Sequence, residues 1–282
     1  MADKLIMGCG YLGQHIAALW LAQNHRVFAA TRSEARASEF RLFGLHPIVC
    51  DVLKPDSLCS LPHVQSIAYC IGLDRSSGVS MRSLYVDGLA NVLAALPQHA
   101  PRFVYVSSTS VYAQTCGEEV DDAAITEPLE GSGKVVLEAE QLLRARLPSA
   151  IILRFAGIYG PERLMHAQAI HAGEPVTGNA DKWLNLIHVG DGAAAVVAAD
   201  NRAAAGSLYN VSDNSPVRRR DFYTKLAEVL NAPQPQFLPL PAGAITSPRE
   251  RGQRRIVSQR MIQELGMKLQ YPNYEEGIGA CI

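Results

Sequence analysis

The chain has 282 residues, 48% of them hydrophobic and 19% charged, with a formal net charge of −1. This composition supplies enough apolar side chain for a packed core and excludes disorder as the default state; the length suits one large domain or a dinucleotide-sized domain with a smaller partner. The near-neutral balance excludes broad electrostatic attraction to nucleic acid or to an anionic membrane surface, so neither is expected as a partner.

The first residues carry charge and pass directly into Leu5-Ile6-Met7, leaving no room for a secretory signal core or a membrane span. Six cysteines, at positions 9, 50, 59, 70, 116 and 281, form no Cys-x-x-Cys pair and fall mostly in apolar runs. They are expected to be reduced, in a cytoplasmic protein. Short β-like runs follow at residues 4–7, 26–31, 47–50, 66–71, 103–107 and 150–155. Helical patterns alternate with them: Leu12, Ile16 and Leu19 at helical spacing, then residues 83–96 and 134–147, the last closed by Pro148. This alternation predicts the α/β class, a Rossmann-type doubly wound parallel sheet with helices on both faces, over residues 1–160. After Gly160-Pro161 the elements shorten between Gly, Pro and Asn, with one Ala-rich helix near residues 193–200. Residues 161–282 are read as mainly a smaller C-terminal substrate lobe, with segments around 183–204 returning to the first domain. The proline-rich stretch 231–248 is read as extended.

Gly8-Cys9-Gly10-Tyr11-Leu12-Gly13 fits Gly-x-Gly-x-x-Gly, directly after an apolar strand and at the start of an amphipathic helix. In that setting Gly8 makes the tight turn, Gly10 lets the backbone approach a pyrophosphate, and Gly13 lets helix and strand pack closely. The helix N-terminus then offers unpaired N–H groups and partial positive charge to the phosphates. NAD-selective folds usually end the second strand on a carboxylate that holds the ribose 2′-hydroxyl; here the sequence reads Thr31-Arg32-Ser33. A guanidinium and two hydroxyls suit a 2′-phosphate, so NADP is the expected cofactor, with NAD as the alternative. Asp51, ending the third strand, is a candidate contact to the adenine amino group or equally a helix cap, and Cys70, ending the fourth, is a further candidate cofactor contact.

Phe103-Val104-Tyr105-Val106-Ser107-Ser108-Thr109-Ser110-Val111-Tyr112 resembles the extended short-chain dehydrogenase/reductases, the NAD-dependent epimerase/dehydratase family. Tyr85-Val86-Asp87-Gly88-Leu89-Ala90-Asn91 is similar to the family's Asn-x-x-Gly-Thr helix, read with Asp87 in the Asn position. Leu153 to Pro161, Ile187-His188-Val189-Gly190-Asp191 and Tyr209-Asn210-Val211-Ser212-Asp213 resemble later family segments in the right order. The resemblance implies a seven-stranded sheet with a small substrate lobe, and substrates that are commonly nucleotide sugars. It also implies a homodimer through the helices at 83–96 and 134–147. The family's chemistry uses a Ser or Thr at the end of the fifth strand, a Tyr that moves the proton, and a Lys four residues after the Tyr.

By that resemblance Ser108 matches the serine and Lys134 the lysine, which would also hold the nicotinamide ribose. Glu130 stands in the tyrosine's place, and no Tyr occurs between Tyr112 and Tyr159. A carboxylate there would need burial to raise its pKa for similar work. Tyr159, His188, Arg254 and Arg255 are the expected substrate contacts, the arginines for a phosphate-bearing or otherwise anionic group. Gly131-Ser132-Gly133-Lys134 fails as a P-loop, because the first Gly would fall on Pro128 and Val135 follows the lysine. The scattered histidines show no ligand spacing, so no metal is expected. The sequence therefore points to an NAD(P)-binding oxidoreductase or epimerase acting on a small sugar-like or carbonyl-bearing molecule. The alternative is a non-catalytic NADP-binding sensor or scaffold.

Overall fold

The structure, a computed structural model, describes residues 1–128, 131–241 and 252–281. With strands and helices numbered in chain order, seven strands form the main sheet: β1 (Asp3–Met7), β2 (Arg26–Thr31), β3 (His46–Val49), β4 (Ser66–Tyr69), β5 (Arg102–Ser108), β7 (Ile151–Phe155) and β12 (Leu208–Val211). Their spatial order is β12-β7-β5-β4-β1-β2-β3, and every neighbouring pair is parallel. Parallel strands need crossovers, and the apolar stripes of the connecting helices cover both faces. The doubly wound sheet expected from the sequence is the observed fold.

On one face, α1 (Tyr11–Ala22) buries Leu12, Ile16 and Trp20 at helical spacing and packs against α6 (Val189–Arg202), whose Ala193, Val196 and Val197 belong to the same apolar cluster. On the other face, α3 (Gly88–Ala95) and α4 (Gly131–Arg146) cover Leu5, Ile67, Phe103 and Ile152. A π-helical turn, Ser83–Asp87, leads into α3. Between β2 and β3 lies α2 (Glu34–Leu42), which buries only Ala37 and Phe40.

The remaining strands pair in small two-stranded ladders outside the main sheet. β6 (Glu118–Val120) pairs with β15 (Arg254–Ile256), β8 (Gly157–Tyr159) with β11 (Leu186–His188), β9 (Val176–Thr177) with β14 (Phe237–Leu238), and β10 (Trp183–Leu184) with β13 (Val217–Arg218). A separate apolar cluster, with Tyr159, Ile170, Phe222, Tyr223 and Leu226 at its centre, packs α5 (Ala167–His171) against α7 (Arg219–Val229). The returning helix lies inside the expected 183–204, and the return continues beyond it to β12. The return comprises α6 and β12, while residues 183–184 belong to a small ladder, because the apolar face of α1 is what α6 has to cover. No helix among the described residues is long and apolar enough to cross a membrane.

Candidate functional site

Register brings the C-terminal ends of the central strands to one edge: Met7 pairs with Ala30 on one side and with Tyr69 on the other. The chain turns away just beyond each of them, and a cleft of about 1250 Å³ opens over that edge, where ligands of open parallel sheets bind. Gly8, Cys9, Gly10, Tyr11 and Leu12 form its floor. Gly8 has φ +90°, and a Cβ there would lie 2.7 Å from the Cys70 and Ile71 backbone; one at Gly13 would lie 2.7 Å from the Gly8 carbonyl oxygen. Those two glycines are therefore used by the fold itself. At Gly10 a Cβ would meet nothing within 4 Å. The space beside Gly10 is open to the cleft, and the α1 N-terminus above it has neither a side-chain cap nor an acidic residue in its first turn. This cradle fits a dinucleotide pyrophosphate.

At one end of the cleft lie Thr31, Arg32 and Arg36, with Arg75 from the loop after β4. The Arg36 guanidinium sits 5.3 Å from the Phe40 ring centre and 2.7 Å from Glu39. Asp74 lines the same wall, its carboxylate taken by the Ser76 N–H and hydroxyl at 2.9 and 2.7 Å, which hold its pKa below the usual carboxylate value. Ser33 is placed differently from its expected role. Its hydroxyl caps α2, accepting the Arg36 N–H at 3.3 Å, and it does not line the cleft. Asp51 likewise turns onto its own chain, Oδ1 accepting the Leu53 N–H at 3.0 Å, while its neighbours Cys50 and Val52 face the cleft. Cys70, the candidate named from the sequence, lines the cleft together with Cys9; burial pushes the Cys9 thiol up to about 11 and the Cys70 thiol higher, so both sit there as neutral thiols.

The other end of the cleft is where the family's reacting groups would meet. Ser108 is the last residue of β5 and lines the cleft; its Oγ accepts the Ser110 N–H at 3.1 Å and keeps its own proton to donate. Lys134 does not join it. Gly133 is jammed against the turn after β5, where a Cβ would lie 2.4 Å from the Ser110 carbonyl oxygen and 2.7 Å from Pro128. That contact sets the rotation of α4, turning Lys134 to solvent and presenting Ser132 and Val136, four residues apart, to the cleft. The Tyr-x-x-x-Lys spacing is thus met geometrically by a serine and a valine. Glu130 lies outside the described residues.

The π-helical turn shows a second change of register. Asp87 is exposed and pairs with Arg82 at 3.2 Å, whereas Tyr85, three residues before Gly88, lines the cleft, its hydroxyl accepting the Leu73 N–H at 3.0 Å. Tyr85 also packs with Val136 in one apolar cluster, next to the space Ser108 faces.

The expected substrate contacts separate. Tyr159 is fully buried with its ring edge-on to His188, at 5.5 Å between centres, and does not reach the cleft. His188 caps α6 through Nδ1, which accepts the Gly190 N–H at 3.2 Å, and packs on Tyr271 at 3.9 Å; burial keeps its pKa below the usual value. Arg255 turns outward to the Gly117 carbonyl at 3.1 Å and to Glu119 at 3.2 Å. Arg254 turns inward, donating to the Thr109 carbonyl at 2.8 Å beside Ser108 without lining the cleft. Arg36, Arg75, Tyr85, Ser132, Val136 and Arg163 are cleft residues that sequence reasoning missed. Only Arg36 carried a signal, lying one helical turn after Arg32.

Sequence and structure comparisons agree with this architecture. The NAD dependent epimerase/dehydratase family matches residues 5–212, from β1 to the end of the main sheet. The chain belongs to that family. It is 28% identical to Protein YeeZ of Escherichia coli K12 over 285 residues, covering 97% of each chain. An NAD-dependent epimerase/dehydratase-family structure from Methylobacillus flagellatus is 34% identical over 99% of this chain and 97% of its own, with a TM-score of 0.77. The dTDP-glucose 4,6-dehydratase of Bacillus anthracis, solved in complex with NAD, shares the fold, with a TM-score of 0.83 at 14% identity over 100% of this chain and 95% of its own.

Proposed function

We propose that this protein binds NADP(H) in the sheet-edge cleft and acts as an oxidoreductase on a small carbonyl-bearing or sugar-like molecule. The observation that carries the reading is the pairing, in one cleft, of an open pyrophosphate cradle at Gly10 with guanidinium groups at one end. Arg32, Arg36 and Arg75 would surround a 2′-phosphate, and the planar fork of each can give it two parallel hydrogen bonds. When bound, the nicotinamide supplies or accepts hydride. The chain's own part is to hold and orient. Ser108 donates a hydrogen bond to a carbonyl oxygen, Ser132 offers a second hydroxyl, and Tyr85 with Val136 and Phe155 keeps the reacting end dry.

Calorimetric titration tests the cofactor reading. NADP should bind more tightly than NAD, and Arg32→Ala should cost NADP about 1.5–3 kcal/mol while leaving NAD affinity where it was. Equal wild-type affinities, or an Arg32→Ala chain that binds NADP normally, would refute the preference.

A second reading, a non-catalytic NADP-binding sensor, is favoured by one observation: α4 presents no titratable group to the cleft among the described residues. Positioned acid–base groups contribute about 10²–10⁴-fold in rate, so their absence predicts slow chemistry. The double variant Ser132→Tyr, Val136→Lys places the family's pair on the observed cleft face. NADPH oxidation measured against a panel of small ketones and aldehydes should rise in that variant if the site is a weakened reductase; a panel-wide blank for both chains with NADP still bound supports the sensor.

A further inference from the structure

We infer that Arg163 supplies the second side of the diphosphate site whose first side is the N-terminus of α1, an inference that rests on the dinucleotide reading above. The guanidinium of Arg163 comes from the segment after β8 and sits 5.2 Å from the centre of the Tyr11 ring. Tyr11 is the first residue of α1 and lies inside the glycine-rich turn. Arg163 and Gly10 line the same cleft, and among the described residues Arg163 forms no ion pair.

The segment is built to hold the arginine there. The Tyr11 hydroxyl donates to the Pro161 carbonyl at 2.9 Å, tying the glycine-rich turn to a residue 150 positions away in the chain. Gly160 packs directly on that hydroxyl: a Cβ at Gly160, where φ is +158°, would lie 2.5 Å from it. The Arg163 N–H closes onto the Gly160 carbonyl at 3.0 Å, and Glu162 and His166 are held at φ 62° and 58°, in the left-handed region non-glycine residues seldom occupy. Such backbone persists where surrounding contacts over-determine it, and it clusters at ligand clamps. An arginine fork over an aromatic face keeps its N–H groups free and pre-oriented, a geometry suited to phosphate oxygens. The unpaired N–H groups of α1 begin at Tyr11 itself, the residue on which the guanidinium packs. Glu162 shares the wall, and its charge acts against an anion, so it enters the test.

Titration calorimetry on the full chain distinguishes the diphosphate from other phosphates. The probes are NADP and adenosine 2′-monophosphate, which carries the 2′-phosphate and no diphosphate and is read by competition. Arg163→Ala should weaken NADP about tenfold or more, the scale of a lost charge-assisted hydrogen bond, and change adenosine 2′-monophosphate by less than about twofold. Arg163→Lys should fall between, Tyr11→Phe should lose less than Arg163→Ala because it keeps the ring and drops only the tether, and Glu162→Gln should bind NADP at least as well as wild type. Arg163 is exposed, so the unliganded melting temperature of each Arg163 variant should match wild type and separates a folding defect from a binding one. Unchanged NADP affinity in Arg163→Ala, the outcome for a guanidinium serving a substrate phosphate instead, overturns the inference and leaves the dinucleotide reading intact. Equal losses for both probes overturn it as well. A wild-type chain that binds neither NADP nor NAD overturns the dinucleotide reading itself.

Discussion

Gly10 is the one position of the glycine-rich turn where a side chain would leave the free protein undisturbed. Gly10→Val should therefore melt within about 2 °C of wild type while losing about 100-fold or more in NADP affinity, because the added carbons occupy the space the pyrophosphate needs. Gly13→Ala should do the reverse at first order, destabilising by about 1–3 kcal/mol through its contact with the Gly8 carbonyl, as seen by urea unfolding. The glycine pattern was legible in the sequence; which glycine serves the ligand and which the fold was not, since that depends on what lies across from each. Lys134 shows the same limit. Its helix was foreseen, but its facing is set by the close approach of Gly133 to Ser110, so Lys134→Ala should leave NADP affinity within about twofold of wild type, as for other solvated surface charges. Asp213 gives a residue-scale pH effect. Burial, with the Asp191 charge adding to it, pushes its carboxyl up to about 8, and Oδ2 has no hydrogen-bond partner among the described residues. An acid whose pKa is higher folded than unfolded holds its proton more tightly in the native state, so stability falls as pH rises from the unfolded value of 3.8 toward 8. Between about pH 5 and pH 8.5 wild type should lose on the order of 1–3 kcal/mol relative to Asp213→Asn, followed by urea melts at both pH values.

At the scale of elements, α4 carries two functions on two faces. Its cleft face offers Ser132 and Val136, and its core face sends Glu140 into a buried network: Arg154 on β7 grips the carboxylate with Nη2 at 2.7 Å and Nε at 3.1 Å, Ser107 donates to it, and the Tyr112 hydroxyl accepts from Arg154 at 2.9 Å. Glu140 is 3% and Arg154 6% exposed, so removing one charge strands the other away from water. Glu140→Gln should cost about 3–5 kcal/mol by chemical denaturation. The six strands read from the sequence were legible because each is an apolar run ending at turn residues, and parallel strands buried on both faces need no alternation. The helix α2 gave no such signal, being mostly charged and small residues with only Ala37 and Phe40 buried. The π-helical turn was equally silent. A single extra residue per turn shifts Tyr85 into the cleft and Asp87 out of it, and helical periodicity cannot report that shift.

At the scale of the whole molecule, the sheet is not finished where the first half of the chain ends. β12 hydrogen-bonds to the outer edge of β7, α6 covers Ile16 and Trp20 of α1, and Lys4 at the start of β1 forms a buried ion pair with Asp200 of α6 at 2.7 Å. A fragment of residues 1–160 would expose that apolar helix face, a bare strand edge and an unpaired Lys4, so it should aggregate or stay unfolded by circular dichroism, whereas the full chain melts cooperatively. The same arrangement has a consequence in time. β1, the first strand made, lies inside the sheet, and the strand that closes its far edge is made last. During synthesis at about 5–20 residues per second, the interval between the emergence of β7 and that of β12 lasts several seconds, and throughout it the growing chain carries an open β-edge beside an uncovered apolar helix. For that interval the nascent chain is a client for whatever shields such surfaces in its cell, and the rate at which the small lobe is threaded past governs how much of it escapes aggregation.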